Sequence, residues 1–216
     1  RGIDVAFAFK KGSFTYLGHE KIPVTFADDA KFLTRDILHI WGTAGKKDTL
    51  HFFVNHWSSR RSGNDESEPK RVGAALILKQ ATEKILAKSP EAKIIIMGDM
   101  NDEPKNKSLT ETLGAANPET GAKSALYNLM YPDDELNNGT YLFRGDWNML
   151  DNMVVSTGLL NAKKGFKSAA KGIIHKPEFL NFTNNKGEKS PNRTYGGDNY
   201  YGGYSDHYPI YLKLTK

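Results

Sequence analysis

Four apolar side chains stand in unbroken succession in Lys93-Ile-Ile-Ile-Met-Gly-Asp-Met-Asn101, ahead of Gly98, Asp99 and Asn101. A short apolar run ending in glycine predicts a strand buried on both faces, deep in a layered fold. Residues two apart in an extended chain point to the same side, so Asp99 and Asn101 should project together from the tip of a rigid core strand. A carboxylate and an amide placed there can hold one substrate. A surface turn gives the same Gly-Asp punctuation, so the other strand ends must decide between the two readings.

With 216 residues, 38% of them hydrophobic, the chain can bury one substantial core, and no low-complexity linker divides it. Residues 1–216 are therefore read as a single domain. A net charge of +5 favours an anionic partner, weakly, because 30 basic residues are offset by 25 acidic ones. The absence of cysteine excludes disulfides and thiolate metal sites. No apolar run reaches membrane-spanning length.

Taken in order, Ile3 to Phe9 alternates like a strand, with Ile3, Val5, Phe7 and Phe9 on one face. Lys10 to Gly18 reads as a basic connector, Arg35 to Trp41 as a second strand, and Gly42 to Asp48 as a hairpin loop. Thr49 to Val54 returns with Leu50, Phe52 and Val54 on one side. It ends in Asn55-His56-Trp57, followed by Arg60 and Arg61, two cations suited to a phosphate. Pro69 fits the first turn of a helix running to about Lys88. Ala74, Ile77, Leu78, Ala81 and Ile85 form its inner stripe, with Lys70, Arg71, Lys79, Glu83 and Lys84 toward water. Strand, helix and buried strand in succession indicate a layered α/β arrangement. Loop and short helical pieces are expected from Asp102 to about Tyr131, and mostly loop from Gly165 to Asn199. Thr140 to Phe143 and Trp147 to Ser156 resume the strand pattern. Within the latter, Asp151 among apolar neighbours needs a donor, most simply a histidine or arginine. A glycine-hinged turn then delivers Asp206 and His207 to a last strand, Tyr208 to Leu214, with Ile210, Leu212 and Leu214 on one face.

Three strand ends thus carry Asn55/His56, Asp99/Asn101 and Asp206/His207, with Asp151 in a fourth strand. If they converge, they offer a histidine paired to a carboxylate, oxygens for a hard divalent cation, and an amide for a transition-state oxygen. That is the inventory of metal-assisted phosphoester hydrolysis.

In order and spacing, Asn55-His56-Trp57, Gly98-Asp99-Met100-Asn101, Leu150 to Val155 and Ser205-Asp206-His207-Tyr208-Pro209 resemble successive motifs of the endonuclease/exonuclease/phosphatase superfamily, the DNase-like fold. The resemblance implies a four-layered α/β sandwich, two packed mixed β-sheets with helices outside, and Mg²⁺- or Mn²⁺-dependent attack of water on a phosphodiester or phosphomonoester. Carried over residue by residue, it implies His207 as the catalytic histidine and Asp151 as its partner. Asp206 would be a metal ligand, and Asp99 would position the nucleophilic water or a second metal. Asn101 would orient the phosphate, and His56 would donate to it. Asn55, Arg60 and Arg61 are read as phosphate-binding, the two arginines on physical grounds alone.

The family also places an asparagine and a metal-binding glutamate in strands before the Asn-His motif. Arg1 already stands beyond them, so the upstream part of the domain is expected to be missing from this chain, and the metal to be loosely held without it. Nuclease, inositol-phosphate phosphatase and sphingomyelinase readings share these core residues, and the positive charge favours nucleic acid. A catalytically silent binding module is the alternative class.

Overall fold

The computed structural model describes residues 4–27, 29, 31–45 and 48–216. Its centre is a seven-stranded mixed sheet. The strands are β1 (Phe14–Ile22), β2 (Ile37–Ala44), β3 (Asp48–His56), β4 (Lys93–Asp99), β5 (Ala115–Ala116) and β6 (Leu126–Asn128), together with a later strand, Asp151–Ser156. Two short strands, β7 (Tyr141–Phe143) and β8 (Asp146–Asn148), form a hairpin just before Asp151–Ser156, which is therefore β9. The order across the sheet is β1-β2-β3-β4-β9-β6-β5, with β3–β4 and β5–β6 parallel and the other pairs antiparallel.

The alternation within β4 divides the core in two. Ile94 and Ile96 pack with Phe53, Val154 and the helix α1 (Asn64–Lys88), whose Ala74, Ile77, Leu78, Ala81 and Ile85 all reach this cluster as their spacing predicts. Ile95 and Met97 face the other side, packing with Leu50, Phe52 and Val155. There the core is closed by two ladders, β10 (Lys167–Ser168) with β17 (Leu214–Thr215) and β11 (Ile173–Ile174) with β16 (Ile210–Tyr211). Ile210, Leu212 and Leu214 enter this second cluster together, the shared face expected of them. The mixed α/β class holds, and where a second sheet was expected the described residues form separate two-stranded ladders.

Several expectations are corrected. Asp4 to Phe9 runs without a ladder, and Ile3 lies outside the described residues, as do Lys46 and Lys47 of the hairpin loop. The alternation serves side-chain packing: Phe7 and Phe9 gather against Phe14, and the Phe7 ring lies 4.9 Å from that of Phe52, tilted by 42°. The connector read at Lys10 to Gly18 contains the start of β1. That strand is at the sheet edge with exposed Tyr16 and Leu17, and a bulge between Tyr16 and Gly18 breaks the period of two that would have revealed it. Helix α1 begins at Asn64, so Pro69 lies inside it. Its opening turn is held by side chains: Ser67 Oγ donates to the Gly63 carbonyl, and Arg71 donates to the backbone and side-chain oxygens of Asn64. Trp147 to Ser156 is two strands rather than one, and the final strand divides at Leu212–Lys213. Between Gly165 and Asn199 the chain forms short ladders, including β12 (Asn181–Thr183) with β13 (Lys189–Pro191) and β14 (Tyr195–Gly196) with β15 (Asn199–Tyr200).

Candidate active site

Register brings the polar strand ends into one row. Across the parallel pair β3–β4, His56 lies opposite Asp99; across the antiparallel pair β4–β9, Asp99 lies opposite Asp151. The close approach of β3 and β4 depends on Gly98, which has φ +131°, and a Cβ there would meet the Asn55 carbonyl oxygen at 2.0 Å. His56 Nε2 stands 3.4 Å from Asp99 Oδ2. From the other end of the chain, His207 Nδ1 reaches Asp151 Oδ2 at 2.7 Å, the contact expected of a half-buried carboxylate among apolar neighbours. An isolated bridge between Tyr141 and His207 and a bond from Tyr208 N to the Thr140 carbonyl dock this C-terminal turn on β7.

The electrostatics of the row are unusual. Burial, together with the charge of Asp151, raises Asp99 to about 6, against the opposing pull of His207, the Asn101 N–H and Arg35. Burial alone would depress His207, but the hydrogen bond and charge of Asp151, with Asp99 and Asp206, lift it to about 9. Replacing Asp151 by Asn should therefore drop the His207 pKa from about 9 toward or below the ordinary 6.5, as read by NMR titration of the ring. A value that stays high would remove Asp151 as its cause. Because the folded value lies above the unfolded one, the stabilisation linked to this proton is whole below about pH 6.5 and is lost as pH rises through about 9.

The remaining sequence candidates divide into two groups. Asn101, with φ 51°, donates its backbone N–H to Asp99 Oδ1 at 2.9 Å and its Nδ2 to the Trp57 carbonyl at 3.1 Å, so it sits beside the row. Asp206 is exposed and close enough to help raise His207. Asn55, 2% exposed, is committed internally: it donates to the Phe53 carbonyl and accepts from Trp57 Nε1, fixing the turn after β3. Arg60 turns inward to the Asn101 carbonyl, Asp102 and Asn106. Arg61 is exposed on the same short helical turn and lines a groove with Phe32, Ser58 and Lys70 that includes none of the row's residues.

Sequence reading missed the supports of this row. Thr140, fully buried, donates its hydroxyl to Asp151 Oδ2 at 2.5 Å. Asp102, 1% exposed, is the hub beneath Asn101. Arg60 lies 3.2 Å from it, Arg71 Nε lies 2.7 Å from it at an angle poor for a hydrogen bond, and Ser108 donates to its other oxygen. Asn152, also buried, donates to the Asp102 carbonyl and accepts from Asn128. Arg71, expected in water, is fully buried because Asp102 stands directly under α1. The signal that could have found it was the surplus acid in Asp99-Met-Asn-Asp102, which needs a cation. Among the described residues, no group of three or more His, Asp and Glu gathers in metal-ligand geometry.

The sequence profile of the Endonuclease/Exonuclease/phosphatase family matches residues 1–216. Among solved structures, the chain is similar to a Bacteroides thetaiotaomicron mannosyl-6-phosphatase at 15% identity, covering 96% of this chain and 69% of that one with a TM-score of 0.56. It is similar to D. rerio TDP2 complexed with a single strand DNA product, at 15% identity, 95% and 70% coverage and a TM-score of 0.55. The human Nocturnin catalytic domain with bound sulfate matches at 15% identity, 96% and 62% coverage and a TM-score of 0.53. The chain spans only 58% of another matched structure, a truncated Caenorhabditis elegans TDP2. No curated protein matches it at the level of sequence. At these identities the structural likenesses establish the fold, and the profile establishes kinship: the chain belongs to the endonuclease/exonuclease/phosphatase family.

Proposed function

We propose that this chain carries the catalytic row of a divalent-metal-dependent phosphoester hydrolase, of the phosphodiesterase or nuclease kind. The observation that carries the reading is the continuous line His56, Asp99, Asp151, His207, in which a carboxylate is raised to about 6 and a histidine to about 9. A pair of titrating groups displaced in this way divides naturally into base and acid. Asp99 takes a proton from the attacking water as its oxygen bonds to phosphorus. His207, cationic at neutral pH, donates from Nε2 to the departing ester oxygen, while its Nδ1 stays on Asp151 and keeps the ring oriented. Asn101 and His56 supply hydrogen bonds to the non-bridging oxygens. Asn55 and Arg60 act through the turns that they hold rather than on the phosphate.

The donors fit a hard ion such as Mg²⁺ or Mn²⁺ in part. The exposed Asp206 offers carboxylate oxygens, and water and substrate oxygens would complete the shell. When bound, the ion would polarise the phosphoryl group and offset its developing negative charge. The neighbours favour the same class of ligand, since one was solved with a nucleic-acid product and another with sulfate.

The test is a panel of plasmid DNA, RNA, a generic phosphodiester and phosphomonoesters, run with Mg²⁺, Mn²⁺ and Ca²⁺. Metal-dependent turnover is expected, with kcat/KM rising on the acid side as Asp99 loses its proton and falling on the alkaline side as His207 loses its own. No turnover with any metal would favour a silent binding module. A profile without both limbs would overturn the base and acid assignments.

A further inference from the structure

Two runs of the chain carry lysine and no acid. Residues 152–177 hold Lys163, Lys164, Lys167, Lys171 and Lys176 without an Asp or Glu, and residues 207–216 hold Lys213 and Lys216 likewise, in a chain with 25 acidic residues. The ladder β10–β17 joins the two runs. Ser168 and Leu214 are cross-strand partners on its inner side, Ser168 buried and Leu214 packed in the second core cluster, so alternation turns Lys167, Lys213 and Thr215 outward. Lys163 and Lys164, in the turn before β10, are exposed with them, as is Lys216.

This end of the molecule is tied together from inside. Lys93, at the start of β4, donates to both oxygens of Asp48 and to the Lys164 carbonyl, at 2.8 Å each. Asp48 also accepts from the Phe166 N–H, and the Lys216 ammonium lies 5.0 Å over the Phe166 ring. Lys171 is paired with Asp133 and Lys176 bonds to Asn138. Among the described residues, Lys163, Lys164, Lys167 and Lys213 have no carboxylate partner. The adjoining groove, which Asp48 and Lys93 also line, is balanced, with Lys84 and Lys88 beside Glu20 and Glu91. The lysine cluster stands at the opposite end of the seven-residue β4 from Asp99, about 20 Å away.

We propose that this end docks on an anionic lipid bilayer, leaving the row at the far end of β4 free to meet its substrate. Unpaired ammonium groups gathered on one surface are drawn to a field of negative headgroups. The planar fork of arginine matches a phosphate or carboxylate held in fixed geometry by a polynucleotide or a folded partner, and neither acid-free run contains arginine. Lysine, a point charge on a flexible stem, suits headgroups that move. With Ala169 and Thr215 as their neighbours on the ladder, Lys167 and Lys213 carry no bulky apolar wedge, so attachment is electrostatic, peripheral and sensitive to salt. Docking asks nothing of the row and stands apart from the hydrolase reading.

Co-sedimentation of the whole chain with vesicles of phosphatidylcholine, alone or mixed with phosphatidylserine, tests the docking. Binding should require phosphatidylserine and fall steeply with added salt. Lys163→Gln and Lys167→Gln should each weaken it roughly fivefold, and together with Lys164→Gln and Lys213→Gln roughly a hundredfold or more. Lys167→Arg should retain it, and the melting temperature should stay unchanged throughout, because these side chains are exposed and unpaired. Lys123→Gln combined with Lys186→Gln, which removes the same charge as a patch double from exposed positions elsewhere, should leave affinity within about twofold. Plasmid DNA and polyglutamate, offered at matched anionic charge, should compete poorly. No binding, binding to phosphatidylcholine alone, or an equal loss in the control double would overturn the docking surface. Displacement by either polyanion would overturn the bilayer and give the surface to a nucleic acid or an acidic protein.

Discussion

His207→Ala is expected to lower kcat by roughly two to four orders of magnitude, the usual worth of a positioned acid or base, while the fold survives. The loss is large because His207 is the point where two effects meet. Asp151 fixes its orientation through Nδ1, and the surrounding carboxylates keep it protonated at neutral pH. The fold survives because the backbone bridge to Tyr141 and the Tyr208 bond to Thr140 do not involve the ring, and Asp151 retains the Thr140 hydroxyl. Circular dichroism and the melting curve should therefore match those of the unmodified protein within a few degrees, with turnover on the responsive substrate as the readout. Activity retained in the variant would end the assignment of His207.

The second large effect is on stability. Asp102→Ala removes the counter-charge of Arg71, which is fully buried, and of Arg60, which is mostly so. An uncompensated buried cation costs about 3–5 kcal/mol, a large share of the 5–15 kcal/mol that holds a typical domain. Urea denaturation should show the loss as a fall in midpoint, and pairing the change with Arg71→Met should recover much of it, since the orphaned charge then goes too. Turnover should also fall, because Arg60 donates to the Asn101 carbonyl and the loop would lose that restraint. A midpoint shift worth less than about 1 kcal/mol, the scale of an exposed pair, would show that the cluster is solvated.

These effects also mark where sequence reasoning reached and where it stopped. Local pattern carries far when packing confirms it: the run Ile94 to Met97 is a central strand, and the Ala74-to-Ile85 stripe is the inner face of a helix. Pattern misled where packing replaced it. Phe7 and Phe9 alternate without pairing, and β1 pairs without alternating, because an edge strand with a bulge has no continuous buried side to enforce the period.

The site divides along the same line. Sequence by itself determined that polar groups cap the apolar strands at Asn55-His56, Asp99-Asn101 and Asp206-His207, and that Asp151 needed a donor, because burial of a carboxylate among Leu150, Met153 and Val154 is costly without one. Only the tertiary structure decided which groups meet. Register across β3, β4 and β9 aligned His56, Asp99 and Asp151. The docking of a turn 56 residues away in sequence brought His207 to Asp151, and packing of α1 over the Asn101 loop turned Arg71 inward onto Asp102. Such long-range pairings leave little mark in the local sequence, because the energy that selects them comes from desolvation and charge in a core that exists only once the strands are side by side.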